Sequence, residues 1–324
     1  MKIVLLTKSD NYDKLARLKD AGWELLHLGN DLPDPGTVTS TNADVIVADA
    51  ILKIGPDIIE NMPGLKLIHS QGVAFNAIDT VCARKAGIYV CNCAGANAGP
   101  VAEHAVMMML ALLRSLRYNE DMVYANRQME AKTACFSVGL PELFKLKVGI
   151  VGYGAIGRAL ATLLKAFGCE LCYYDTRLAD PAVDDITYMP LEELYASSDI
   201  VTLHTPVTPE TENMINYESL KLFKHGALLI NTARGELMDH YAVADALESG
   251  LLGGLGADTL APEPYLPDNP LISGLPVEVR RRVVLSPHIA GITAGFFIRA
   301  YERICDNAEA VRRGDRPECI VNGL

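Results

Sequence analysis

The residue pattern with the most chemistry in it is Gly152-Tyr153-Gly154-Ala155-Ile156-Gly157, a G-x-G-x-x-G between an apolar run and a helical stretch. Gly152 suits a tight turn, Gly154 lets the backbone approach a pyrophosphate, and Gly157 lets the helix pack on a sheet. Asp175 follows Gly157 by 18 residues, where an acid binds a ribose 2′-hydroxyl and repels a 2′-phosphate. That favours NAD over NADP, with Arg177 as the residue that argues the other way. Further on, Arg234 lies in Asn231-Thr232-Ala233-Arg234-Gly235, just after another apolar run. A guanidinium there suits a carboxylate held through two parallel hydrogen bonds, or an ordinary surface ion pair. Asp258 and Glu263 follow the next run, and His288 the one after that. A lone histidine is more often a satisfied core residue, but this one shares its edge with an arginine and two acids.

These residues need a scaffold that brings strand ends together. Short apolar runs alternate with helical stretches along the whole chain, the pattern of an α/β fold with parallel sheets and crossover helices. In the first part examples of the strands are Ile3–Leu6, Val45–Ala48, Leu65–His69 and Tyr89–Cys91, between helical candidates such as Asn11–Ala21 and Ala77–Ala86. The second part gives six strands: Val148–Val151, Glu170–Tyr174, Ile200–Leu203, Ala227–Ile230, Gly254–Ala257 and Val283–Leu285. Six such strands make two mononucleotide-binding halves, with ligands beyond their carboxyl ends. The predicted fold is two Rossmann-like or flavodoxin-like domains with doubly wound parallel sheets. A long helix over Gly99–Arg117 opens the cofactor domain, residues 99–293. That domain is inserted into a substrate domain of residues 1–98 plus 294–324. His204-Thr205-Pro206 and Thr211, after the third strand, could wall the adenine and phosphates; His204 could equally be structural.

Composition narrows the rest. The 324 residues carry 29 Lys and Arg against 40 Asp and Glu, a net charge of −11, with no basic run to bind nucleic acid. The apolar run Val106–Leu113 is too short to span a membrane, and the N-terminus lacks a signal-peptide core. The eight cysteines read as reduced core thiols of a cytoplasmic protein. Cys169 and Cys172 fall on a strand, where residues three apart face opposite sides, so no metal site is expected.

In order and spacing these motifs resemble those of the D-isomer-specific 2-hydroxyacid dehydrogenases. Gly152–Gly157, Asn231–Gly235, Asp258–Pro264 and Ser286–Gly291 carry the resemblance. So do Val73–Asp79, Asn97, Val101–His104, Gly314–Pro317 and Val321-Asn322. The resemblance implies an NAD-dependent oxidoreductase interconverting a D-2-hydroxy acid and its 2-oxo acid. Arg234 would bind the substrate carboxylate and His288 would act as acid and base, paired with Glu263. Val73, Ala74 and Asn97 would complete the substrate contacts. Asp258 would orient the nicotinamide carboxamide. Gly152–Gly157, Asp175, Thr176, His204–Pro206, Thr211, Thr232–Arg234, His288, Ala290 and Gly291 would line the cofactor. The resemblance also implies a homodimer through the cofactor domain, on the helix holding Met107, Met108 and Met109. A non-catalytic NAD(H)-sensing protein on the same fold is the alternative. Three features depart from the pattern. Ala74 stands where glycine is usual, and Asn76 where aspartate is usual. Glu278–Arg282 is an apparent insertion, read as a solvated loop or as a face for an acidic substrate. Phe296 and Phe297 would line a dimer contact or the core.

Overall fold

The computed structural model describes residues 1–7, 12–29, 33–49, 52–178 and 185–324. The chain separates into two compact units, Met1–Asn97 with Ile292–Leu324, and Ala98–Gly291.

The first unit is a five-stranded parallel sheet of β1 (Lys2–Leu6), β2 (Glu24–His27), β3 (Val45–Ala48), β4 (Leu67–Ser70) and β5 (Tyr89–Cys91), in the order β2-β1-β3-β4-β5. β3 and β4 are buried along their whole length, as parallel strands covered on both faces must be. One cover is the C-terminal helix Ala294–Arg313, whose Tyr301, Ile304, Cys305 and Ala308 pack with Ile3, Leu5, Val45 and Leu67. The tail therefore returns to the first sheet. Phe296 joins the core with Cys93 and Ala300, which makes it a packing residue. The helix predicted over Ala77–Ala86 runs from Thr80 to Lys85, capped by the Asp79 carboxylate accepting from Cys82 N. The one predicted over Asn11–Ala21 is a 3-10 turn at Tyr12–Leu15 and a helix at Ala16–Asp20; Asn11 lies outside the described residues.

Among its described residues the second unit holds seven strands, one more than predicted: β6 (Lys147–Val151), β7 (Glu170–Tyr174), β8 (Thr187–Tyr188), β9 (Ile200–Leu203), β10 (Ala227–Asn231), β11 (Leu252–Ala257) and β12 (Val283–Leu285). Their order is β12-β11-β10-β9-β6-β7-β8. The strand direction of travel reverses between β6 and β9, the switch point where doubly wound sheets bind ligands. β8 is only two exposed residues long, so it shows no apolar run. The predicted helix Gly99–Arg117 also needs correction. It runs Ala98–Leu113 and stops before Ser115, whose φ of 47° is left-handed; a second helix, Leu116–Tyr124, then begins. No helix among the described residues is long and apolar enough to cross a membrane.

Candidate active site

The glycine loop sits at the switch point. Gly152 has φ +95°, and a Cβ there would fall 2.6 Å from the carbonyl carbon and oxygen of His204, at the end of β9. Only glycine permits that turn and that approach. A Cβ on Gly154 would meet nothing within 4 Å, so the space over it is open. Gly154 caps the helix Ala155–Ala166 with no side-chain hydrogen bond, so its first N–H groups and the dipole are available to a phosphate. The Tyr153 side chain is buried, and the Arg158 guanidinium lies 4.9 Å from its ring centroid while donating to the Tyr153 carbonyl at 2.7 Å. Arg158 therefore stiffens the loop, a role its position just after the motif did not reveal.

Asp175 ends β7. Its carboxylate accepts from Tyr153 N at 2.7 Å and Arg177 N at 2.9 Å, which ties the glycine loop to the ribose-reading position. The half-buried acid keeps lone pairs for hydroxyls and a charge against a 2′-phosphate. Opposed charges of like sign at contact distance are worth a few kcal/mol before screening. NADH is therefore expected to outperform NADPH by on the order of 10²-fold in kcat/KM, and Asp175→Ala to narrow that ratio. Steady-state rates with both cofactors check this; equal rates in the unmutated protein would assign control to Arg177.

At the end of β9, desolvation pushes the His204 pKa down to about 3, so the ring is neutral. Its Nε2 pairs with Thr202 Oγ1 at 2.9 Å, while Nδ1 is buried without a partner among the described residues. The Thr211 hydroxyl donates to the Pro206 carbonyl at 2.7 Å and accepts from Thr208 N at 2.7 Å. Thr211 thus braces the loop that carries Thr205 and Pro206. Thr232 Oγ1 and Thr259 Oγ1, beyond β10 and β11, are likewise buried and unpartnered among the described residues. Buried polar atoms without partners are costly. Three of them at neighbouring strand ends, beside the open glycine loop, fit a bound dinucleotide.

The reactive side chains follow β10, β11 and β12. The fully buried Asn231 accepts from Ala233 N at 3.0 Å and donates to the Arg234 carbonyl at 2.8 Å. That closes the turn presenting Arg234, whose Nη1 donates to the Ala233 carbonyl at 2.7 Å. A Cβ on Gly235 would lie 2.3 Å from Ala261 N, so glycine is required for this turn to meet the Leu260–Ala261 segment. His240 locks the same junction. Its Nδ1 accepts from Asn269 Nδ2 at 2.8 Å, so Nε2 must be the protonated nitrogen donating to the Gly235 carbonyl at 3.2 Å. Burial lowers its pKa, consistent with that neutral tautomer.

Asp258 is 1% exposed and its carboxylate accepts from Ile289 N and Ala290 N at 2.9 and 2.8 Å. His288 N donates to the Asp258 carbonyl at 2.7 Å. His288 Nδ1 lies 2.8 Å from Glu263 Oε2. A carboxylate only accepts, so Nδ1 carries the proton and Nε2 faces outward as the exchangeable position. A cavity of about 410 Å³ opens beside the pair, lined by Leu260, Glu263, Tyr265, Ile272, Leu285 and His288 among others. Gly291 closes this unit. The structure thus brings together Asp258, Glu263, His288 and Ala290, with Arg234 at the adjoining strand end. Asn231 and His240 were not singled out in the sequence. An asparagine just after a strand is a signal for the former; nothing local marks the latter.

Within the first unit, the Val73 carbonyl accepts from Asn92 Nδ2 at 2.6 Å and the Ala74 carbonyl from Ser70 Oγ at 2.6 Å. Both carbonyls are tied down, and the Val73 and Ala74 N–H groups have no partner among the described residues. Asn97 is half-buried at the end of this unit's first segment.

The Glu278–Arg282 segment is not a wholly solvated loop: Glu278 and Arg280 are exposed, whereas Arg281 and Arg282 are half-buried. Val277–Arg280 forms a short helix. Arg282 donates to the carbonyls of Leu247 and Leu252 at 2.6 and 3.0 Å, and the Arg281 guanidinium stacks 4.8 Å over the Tyr118 ring. Arg282 thus satisfies carbonyls at a helix end and a strand start, while Arg281 packs on an aromatic ring.

Three histidines are held neutral by burial: His69 with a pKa lowered to about 4, His204, and His240. On unfolding each regains a value near 6.5. Below that pH the unfolded chain binds more protons than the native one, so stability falls as pH drops from 7 to 5. Each histidine contributes a slope of up to about 1.4 kcal/mol per pH unit in that window. Urea midpoints at pH 7 and pH 5 check this; a higher midpoint at pH 5 would contradict it.

Residues 106–290 match the NAD-binding domain of the D-isomer-specific 2-hydroxyacid dehydrogenases, more than half of the chain. The chain belongs to this family. It is accordingly an NAD-dependent 2-hydroxyacid dehydrogenase. The glyoxylate reductase of Korarchaeum cryptofilum is 33% identical over 283 residues, 87% of this chain and 83% of the relative. The glycerate dehydrogenase of Methylorubrum extorquens is 34% identical over 267 residues, 82% and 81% of the two chains. Among solved structures, a D-2-hydroxyisocaproate dehydrogenase aligns with a TM-score of 0.85 at 28% identity, covering 100% of both chains. The D-lactate dehydrogenase of Lactobacillus jensenii, with NAD+, gives 0.83 at 27% identity, covering 99% of each.

Proposed function

We propose that this dehydrogenase interconverts a small D-2-hydroxy acid and its 2-oxo acid, with Arg234 binding the carboxylate and His288 acting as acid and base. The observation that carries this reading is the 2.8 Å contact between His288 Nδ1 and Glu263 Oε2. Glu263 fixes the tautomer, so Nε2 gives a proton to the oxo group in reduction and takes it from the hydroxyl in oxidation. Arg234 neutralises the carboxylate and polarises the neighbouring carbonyl. Asp258 is assigned the carboxamide of the nicotinamide, through lone pairs left by its contacts to Ile289 and Ala290. When bound, the cofactor supplies hydride chemistry at C4 of its nicotinamide ring. Val73, Ala74 and Asn97 of the first unit are assigned substrate contacts, the first two through their N–H groups. The relatives named glyoxylate reductase and glycerate dehydrogenase support small substrates of the glyoxylate and hydroxypyruvate type. The assembled histidine–glutamate pair argues against a purely sensing role.

We place the protein in the cytoplasm, a reading supported by its eight free cysteines. We also propose a homodimer through the second unit. Of the three methionines on the helix Ala98–Leu113, Met107 is exposed, while Met108 and Met109 are buried in the core and are not offered to a partner. Leu116, Val123, Tyr124, Met129, Phe136 and Val138 expose large apolar surface on the two following helices, and these support the self-association. Sedimentation reads the mass directly.

The test of the reaction is NADH consumption against a panel of 2-oxo acids: glyoxylate, hydroxypyruvate, pyruvate, 2-oxoisocaproate and phenylpyruvate. Turnover on the smaller members is expected. NADH binding without turnover on any of them would overturn the proposal.

A further inference from the structure

A second histidine reaches the catalytic turn from a distant part of the sequence. His104 lies on the helix Ala98–Leu113, whose Ala102, Ala105, Met108 and Met109 are buried in a core shared with Ile150 and Ile230. Its Nε2 is 2.8 Å from Ser286 Oγ, and Ser286 Oγ is 2.5 Å from Asp258 Oδ1. His104 Nε2 itself is 3.7 Å from that carboxylate oxygen. The direction of these bonds is forced. The Asp258 carboxylate only accepts, so the single hydroxyl hydrogen of Ser286 goes to it. Ser286 Oγ must then accept from His104, and Nε2 carries the proton.

The far end of this chain is the turn that presents His288. That residue has φ +57°, a left-handed conformation that residues other than glycine adopt at some cost. Such strain persists only where the surroundings over-determine it. Asp258 supplies the constraint: its carbonyl accepts from His288 N and its carboxylate from Ile289 N and Ala290 N. A buried carboxylate needs every donor it has, and Ser286 is the one held in place from outside the turn. We infer that His104 is a positioning residue for the reaction, fixing through Ser286 and Asp258 the strained turn on which His288 stands. The inference rests on the function proposed above and adds a residue that touches neither substrate nor cofactor.

The test compares His104→Ala, His104→Gln, Ser286→Ala and the His104→Ala/Ser286→Ala double variant. Two readouts are taken: amide hydrogen exchange of the segment containing Ile289 and Ala290 in the cofactor-free protein, and kcat with NADH and the preferred 2-oxo acid. His104→Ala is expected to raise exchange in that segment about tenfold and lower kcat about tenfold, in the range of one lost hydrogen bond to a charged network. His104→Gln keeps an N–H donor and is expected to restore most of both. The double variant is expected to be no worse than the more severe single one, because both break one chain. Exchange and kcat unchanged in His104→Ala would overturn the inference. So would a glutamine variant as impaired as the alanine, or additive losses in the double variant. Should the unmutated protein reduce no 2-oxo acid, the proposed function fails, while the exchange data still decide whether His104 holds the turn.

Discussion

Replacing His288 by alanine is expected to lower kcat by about 10²–10⁴-fold, the range for loss of a positioned acid and base, and to change NADH affinity far less. Two features of the structure set that expectation. Among the described residues the imidazole is bound only through Nδ1 to Glu263, so Nε2 is left for the reacting oxygen. The turn that carries it is held by backbone bonds of His288, Ile289 and Ala290 to Asp258, none of which uses the ring. Removing the ring therefore removes the proton donor without releasing the turn. Titrating NADH fluorescence alongside steady-state kinetics separates the two effects. Loss of NADH binding with an unchanged kcat would make His288 a cofactor-holding residue and sink the assignment.

The second large effect is at Arg234. Hydrogen bonds to charged groups contribute about 1.5–3 kcal/mol each, and a guanidinium offers a carboxylate two. Arg234→Ala is expected to lower kcat/KM by roughly 10²–10⁴-fold. Arg234→Lys is expected to recover only part of this, because an ammonium restores charge without the planar fork. The turn itself should survive both changes, since Asn231 binds the Ala233 N–H and the Arg234 carbonyl. A lysine variant with full activity would show that Arg234 acts as a charge alone. An alanine variant with full activity would move carboxylate binding elsewhere.

Much of this site was legible in the sequence because it is built from strand ends. Gly152, Asp175 and Asp258 each follow an apolar run directly, Arg234 and His288 follow theirs within a few residues, and a parallel sheet aligns those ends whatever the loops do. What escaped depends on contacts distant in sequence or on backbone strain. β8 at Thr187–Tyr188 is too short and exposed to give a periodic signal. The break after Leu113 comes from a left-handed Ser115, which no composition marks. Arg281 and Arg282 look like a solvated charge run, yet they stack on Tyr118 and bind carbonyls of a neighbouring helix and strand. Thr211, expected to wall the cofactor site, also braces its own loop through Pro206 and Thr208, contacts that its spacing did not show. His104 meets Ser286 and His240 meets Asn269 only because packing carries them to segments distant in sequence.

The most direct test of the central claim follows the transferred hydrogen. NADH deuterated at C4 on the transferring face is incubated with a 2-oxo acid that gives a chiral product, such as hydroxypyruvate. The product is then examined for deuterium at C2 and for configuration. The account predicts a D-2-hydroxy acid carrying deuterium at C2. An L-product, or a reduced product without deuterium, would contradict it.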